Sequence, residues 1–183
     1  MEAKKKVLYI YGYGGSPMSS TVGKLQQFLP CDKYEVMCFD YPQRDCAAAL
    51  AFLEEKIKEH NIEVVMGSSL GAFLALCLNV DSKKIIVNPC LVPTVELAKL
   101  KPLPGKPVPT PELIASYGPF ESRVFDHLPA GSHCFMAEHD ELLGNTYRPC
   151  MEAHLPTSTI PGTHRLSSDA MPLIVKCIAG DLQ

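Results

Sequence analysis

Short runs of consecutive apolar residues alternate along this chain with stretches whose apolar positions recur every three or four residues. VLYIYG, Val7 to Gly12, is apolar throughout and ends in glycine, the pattern of a strand buried on both faces. Helical spacing follows from Thr21 to Leu29, then a second strand, YEVMCFDY, and a strongly periodic helix from Cys46 to His60 with Leu50, Leu53 and Ile57 on one face. IEVVMG is the third strand, and a helix begins directly after Ser69. KKIIVNP, Lys83 to Pro89, is the fourth. The run SHCFMAEHDELL, a helix from about Asn145 to His154, the strand TSTIP and a helix from Ser167 to Ala179 finish the chain.

Six strands alternating with helices predict an α/β fold. It is a three-layer sandwich of mostly parallel strands with helices on both faces, right-handed crossovers and its site at the carboxyl ends of the strands. A length of 183 residues suits one domain, residues 1–183. Within it the segment 91–129 is dense in proline, Pro104 included, with a short helix expected from Pro111 to Tyr117 behind a Thr110 cap. So long an irregular insertion at the functional edge of a sheet reads as a lid or substrate-binding segment, the alternative being a surface excursion.

Composition removes several classes of function. A net charge of -3 supplies no basic face for nucleic acid or an anionic membrane. The eight cysteines are dispersed without a C-x-x-C pair, so they read as small buried hydrophobes in a reducing compartment and not as a metal site. The apolar run after Lys6 is too short for a signal peptide, and no segment is long enough to span a membrane. A cytoplasmic protein is expected.

Candidate chemistry centres on VVMGSSLGAFLALCL, which holds G-x-S-x-G with Ser69 at its middle. A strand ends at its first glycine and a helix opens after the serine. A residue at such a corner adopts a strained conformation that small neighbours permit, and its hydroxyl stands exposed above the sheet edge. The same pattern would also arise if Ser69 merely capped a helix. A serine nucleophile needs a base, and the base needs an acid, in the chain order Ser, acid, His. Asp140 follows the strand SHCFMAE and His164 follows the last strand, with Glu138 and Glu141 remaining open as acids. Glu141, one step beyond Asp140, is expected to point elsewhere. His133 opens a strand, His154 ends a helix, and His139 adjoins Asp140. The backbone N–H groups of Leu70 and Tyr13 are the expected oxyanion donors. Gly12 and Gly14 are expected to let the substrate approach the backbone closely. A dinucleotide reading of this loop, with Asp40 closing the next strand, fails because Pro17 occupies the third place of G-x-G-x-x-G.

These residues resemble the small bacterial YqiA/YcfP-like esterases of the alpha/beta-hydrolase superfamily, and the match spreads over most of the chain. YGYGGSP resembles the family's H-G-F-x-S-S-P loop, GSSLGA its G-S-S-L-G-G elbow and NPCLVPTVEL its N-P-A-x-x-P-x-E-L segment. HDELLGNTYR resembles the segment around its acid, and GTHRL its G-x-H-x-F loop. Tyr11, Ala72, Val92 and His139 depart from residues common in the family. The resemblance implies Ser69 as nucleophile, Asp140 as acid and His164 as base, acting on short acyl esters or thioesters without a metal or organic cofactor. The expected partner is thus a small-molecule acyl ester. A thioesterase or acyltransferase would share this machinery, and a non-catalytic binding protein would keep only the fold.

Overall fold

A computed structural model describes residues 3–102, 105 and 107–182; Pro104 of the proline-rich segment lies outside them. Six strands form one sheet in the order β2-β1-β3-β4-β5-β6. They are β1 (Lys5–Ile10), β2 (Tyr34–Met37), β3 (Val64–Ser68), β4 (Lys83–Val87), β5 (His133–His139) and β6 (Thr157–Thr163). Every pairing is parallel. Ile10 lies opposite Gly67 and Ser68 opposite Val87, so the central strands end nearly flush and the residues that follow them share one edge.

The helices are α1 (Ser20–Phe28), α2 (Cys46–His60), α3 (Leu70–Cys77), α4 (Pro93–Glu96), α5 (Pro111–Tyr117), α6 (Arg148–His154) and α7 (Met171–Ala179). Only the first crossover, from β1 to β2, runs towards the β2 edge of the sheet; the later ones run towards the β6 edge. Right-handed connections therefore place α1 on one face and α2, α3 and α5 on the opposite face. Contacts agree, since α1 packs on α7 while α2 packs on α3 and α5. One buried apolar cluster runs from Val7 to Ile178. Five of the cysteines (Cys46, Cys77, Cys90, Cys134 and Cys177) are buried, and none forms a disulfide. No helix among the described residues is long and apolar enough to cross a membrane.

Local chemistry sets the boundaries. The Asp45 side chain accepts from Ala48 N–H, and Asn61 closes α2 in the left-handed conformation, so the helix has the limits its periodicity predicts. β2 is shorter than the predicted YEVMCFDY because its register with β1 ends at Leu8 opposite Met37. Residues 145–147 form a turn, so α6 starts at Arg148 and not at Asn145, and a single 3₁₀ turn, Ser168–Ala170, precedes α7. Within the proline-rich segment, α5 is part of the core. Tyr117 is buried, its ring sits 5.8 Å from Phe73, and its hydroxyl donates to the Gln43 carbonyl.

Lys84, in the middle of the sheet, is fully buried. Its ammonium donates to the carbonyls of Leu76, Leu78 and His127 at 2.7–3.1 Å, two of which are orphaned at the end of α3. Burial pulls its pKa down to about 8. Lys84→Met keeps the volume but strands three buried acceptors. It is expected to lower stability by about 2–3 kcal/mol, read from the denaturation midpoint at neutral pH.

Candidate active site

Ser69 sits at the corner between β3 and α3 with φ 55° and ψ -119°. That is a left-handed conformation costing a non-glycine residue roughly 1–3 kcal/mol. It is over-determined by its neighbours. Ser69 N–H donates to the Val87 carbonyl at 3.0 Å, and its own carbonyl accepts from Ala72, Phe73 and Cys90. A β-carbon on Gly67 would lie 2.2 Å from the Gly71 oxygen, and one on Gly71 would lie 2.1 Å from the Ile10 oxygen. The glycines of the pattern are therefore demanded by the crossing of α3 over β1. The Ser69 hydroxyl makes no capping hydrogen bond to α3, unlike a serine whose role is to start a helix. One residue earlier, the Ser68 hydroxyl shares a 2.6 Å hydrogen bond with Tyr9.

The acid and base candidates meet directly: His164 Nδ1 lies 2.8 Å from Asp140 Oδ2, with the two side chains only 10% and 2% exposed. The other carboxylate oxygen accepts from the N–H groups of Leu142 and Leu143, both at 2.9 Å. Burial acts to raise the Asp140 pKa, but the hydrogen bond and charge of His164 and the two backbone donors outweigh it and hold the carboxyl below its ordinary value. An ionised carboxylate only accepts, so Nδ1 carries the proton and Nε2 of the neutral ring is left as an acceptor. The stabilisation from this depressed pKa is present above the ordinary aspartate pKa and is lost as pH falls through the folded value.

Two further residues hold His164 in place. Contrary to the expectation that it points elsewhere, the Glu141 carboxylate accepts the backbone N–H of His164 at 2.9 Å, because the turn after Asp140 brings it under the last loop. The Asn88 side chain, buried after β4 and with φ 43°, donates to the His164 carbonyl at 3.0 Å and accepts from Ala137 N–H at 2.7 Å. Neither role is visible in the sequence, although polar residues just beyond strand ends are where such a signal would lie. Glu138 points to solvent beside His139. His133 bonds Ser158, His154 bonds the Cys150 carbonyl and stacks on Phe125, and His127 lies beside Asp81.

Ser69, Leu70, His164, Gly12, Tyr13 and Gly14 all line one cavity of about 680 Å³, while Asp140 sits behind His164. Leu70 is the first residue of α3, where a backbone N–H has no partner within the helix. Gly12 is close to the corner, since a β-carbon there would lie 3.1 Å from that of Ser69. The loop is braced from below. Gly15 N–H returns to the Gly12 carbonyl, Gly14 N–H donates to Gln43, and Tyr41 donates to the Tyr11 carbonyl. Asp40, which had entered the discarded dinucleotide reading, accepts the hydroxyl of buried Tyr11 at 2.7 Å and so has a structural use. Burial, then that carboxylate, pushes the Tyr11 pKa up to about 12. No hydrogen bond joins Ser69 to His164 among the described residues; such contacts commonly tighten only with substrate in place. No group of three or more metal-ligating side chains occurs among those residues.

The model of the uncharacterised protein family UPF0227 matches residues 6–101, a span that holds the glycine-rich loop and the Ser69 corner. The chain belongs to this family. The match stops short of Asp140 and His164, and no curated protein matches the chain. Solved structures carry the comparison further. A protein of Agrobacterium vitis S4 assigned as a hydrolase superposes with a TM-score of 0.75 at 16% identity, covering 98% of this chain and 88% of that one. Est1E from Butyrivibrio proteoclasticus gives 0.70 at 15% identity, covering 99% and 87%. The esterase domain of a Rhodothermus marinus protein gives 0.67 at 16%, covering 96% and 84%. At such identities the likeness is one of fold, and this UPF0227 chain has the α/β-hydrolase fold.

Proposed function

We propose that the protein is a serine hydrolase of carboxylic esters, a single catalytic unit spanning residues 1–183. The observation that carries this reading is the hydrogen-bonded Asp140–His164 pair at the rim of the cavity that Ser69 enters from a strained corner. His164 Nε2 takes the Ser69 proton as Oγ attacks the acyl carbon, and Asp140 stabilises the imidazolium that forms. The N–H groups of Leu70 and Tyr13 hold the oxyanion. His164 then returns the proton to the leaving alcohol. Water, activated by the same base, cleaves the acyl-enzyme and restores Ser69.

Two further facts support an ester substrate. The cavity of about 680 Å³ lies within the size range of small-molecule sites. Est1E, of similar fold, has been solved with ferulic acid bound, and an aromatic carboxylic acid is the acyl product that ester hydrolysis releases. A thioester would react by the same steps.

Hydrolysis of p-nitrophenyl butyrate tests the proposal. Turnover by the native protein is expected. No turnover of p-nitrophenyl esters from acetate to octanoate by folded protein would contradict it.

A further inference from the structure

The charge of the cavity differs from that of the chain. Its lining holds Lys24, Lys99, Lys101 and Arg165 but a single acid, Glu96, whereas the whole sequence has 17 basic against 20 acidic residues. Glu96 is already engaged, accepting from Lys99 at 3.1 Å and from the Tyr147 hydroxyl at 2.8 Å. Two of the remaining cations belong to the side of the base. Arg165 directly follows His164, and the Lys24 ammonium donates to the Leu166 carbonyl at 2.9 Å, two residues beyond it. A second, longer contact of 3.4 Å joins Lys24 to Ser20. An ammonium has three donors, so at least one is left for the cavity. No carboxylate pairs with Lys24 or Arg165 among the described residues.

We infer that Lys24 and Arg165 form an anion subsite for the leaving group, so that the preferred substrate is an ester whose alcohol portion carries a carboxylate or a phosphate. The inference rests on the hydrolase reading above. In that mechanism the leaving oxygen must lie beside His164 Nε2 to receive its proton. A substituent on the leaving alcohol therefore meets the flank of the His164 loop, and a substituent on the acyl group does not. Arginine and lysine suit carboxylate and phosphate alike, and a partly enclosed cleft screens their charge less than open solvent does. Binding at this point also leaves the acyl side of the cavity free for uncharged chains.

A set of esters isolates the effect. Phenyl butyrate is the neutral reference; 3-butyryloxybenzoate and 3-(butyryloxy)phenyl phosphate place an anion on the leaving group, and monophenyl succinate places it on the acyl group. The wild-type kcat/KM for at least one leaving-group anion is expected to exceed that for phenyl butyrate by about tenfold at low salt, the excess shrinking as salt is added. Whichever of carboxylate and phosphate leads identifies the chemistry. In Lys24→Gln/Arg165→Gln the ratio of anionic to neutral ester is expected to collapse towards one, and in Lys24→Arg/Arg165→Lys to persist. Ser69-dependent turnover with no such preference, a preference that survives the double glutamine variant, or a preference for the succinate ester would overturn the subsite alone. Absence of turnover for every ester, or turnover undiminished in Ser69→Ala, would instead remove the hydrolase reading and the subsite with it.

Discussion

Ser69→Ala is expected to reduce ester turnover by ~10⁶-fold while leaving the fold intact, as loss of the nucleophile does in serine hydrolases with an otherwise complete site. The two halves of this expectation have separate causes. Activity is lost because the attacking oxygen is removed, and the neighbouring Ser68 hydroxyl, which also lines the cavity, is engaged with Tyr9 at 2.6 Å. Stability is kept because the Ser69 hydroxyl makes no capping bond that its removal would break. Backbone strain adds a second readout. At φ 55° alanine is as strained as serine, whereas glycine is not, so Ser69→Gly is expected to be more stable than either by about 1 kcal/mol and just as inactive. Thermal unfolding and p-nitrophenyl butyrate hydrolysis of the three proteins check both points. Activity retained in Ser69→Ala would move the nucleophile elsewhere.

Asp140→Asn carries the second largest expected effect, a loss of ~10⁴-fold in kcat as in chymotrypsin-type triads. The reason lies in how the carboxylate is held. Leu142 and Leu143 N–H both point at Oδ1, so the amide oxygen of asparagine would occupy that place and turn its NH₂ towards His164 Nδ1. The ring would then accept at Nδ1 and carry its proton on Nε2, the wrong tautomer for a base. Glu141→Gln should cost little, because the amide oxygen can still accept His164 N–H. Glu141→Ala, which frees the loop, should fall between them. The ranking of kcat at matched stability is the check, and a larger loss in Glu141→Gln than in Asp140→Asn would exchange the acid assignment.

Much of this arrangement was legible because the strands announce themselves. Ser69, Asp140 and His164 each follow directly on a strand, β3, β5 and β6, and parallel alternation puts all such positions on one edge. The corner was legible too, since Gly67 and Gly71 leave no room for a β-carbon. What escaped depends on where backbone groups converge in three dimensions. Asn88 and Glu141 act on the carbonyl and N–H of His164, contacts that span 76 and 23 residues. Lys84 lies in an apolar run and gives no hint that three carbonyls, two from the end of α3 and one from His127, surround its ammonium. Net charge is silent in a different way. A sum of -3 over the chain says nothing of a cavity in which basic side chains outnumber acidic ones.

The central claim is that Ser69 is an activated nucleophile, and covalent trapping tests it most directly. Native protein treated with a fluorophosphonate, digested and read by tandem mass spectrometry should carry one phosphonyl adduct, on Ser69 Oγ, formed far faster than in Asp140→Asn. An adduct on another residue, or native protein that stays unlabelled while a known serine esterase in the same tube reacts, would contradict the account.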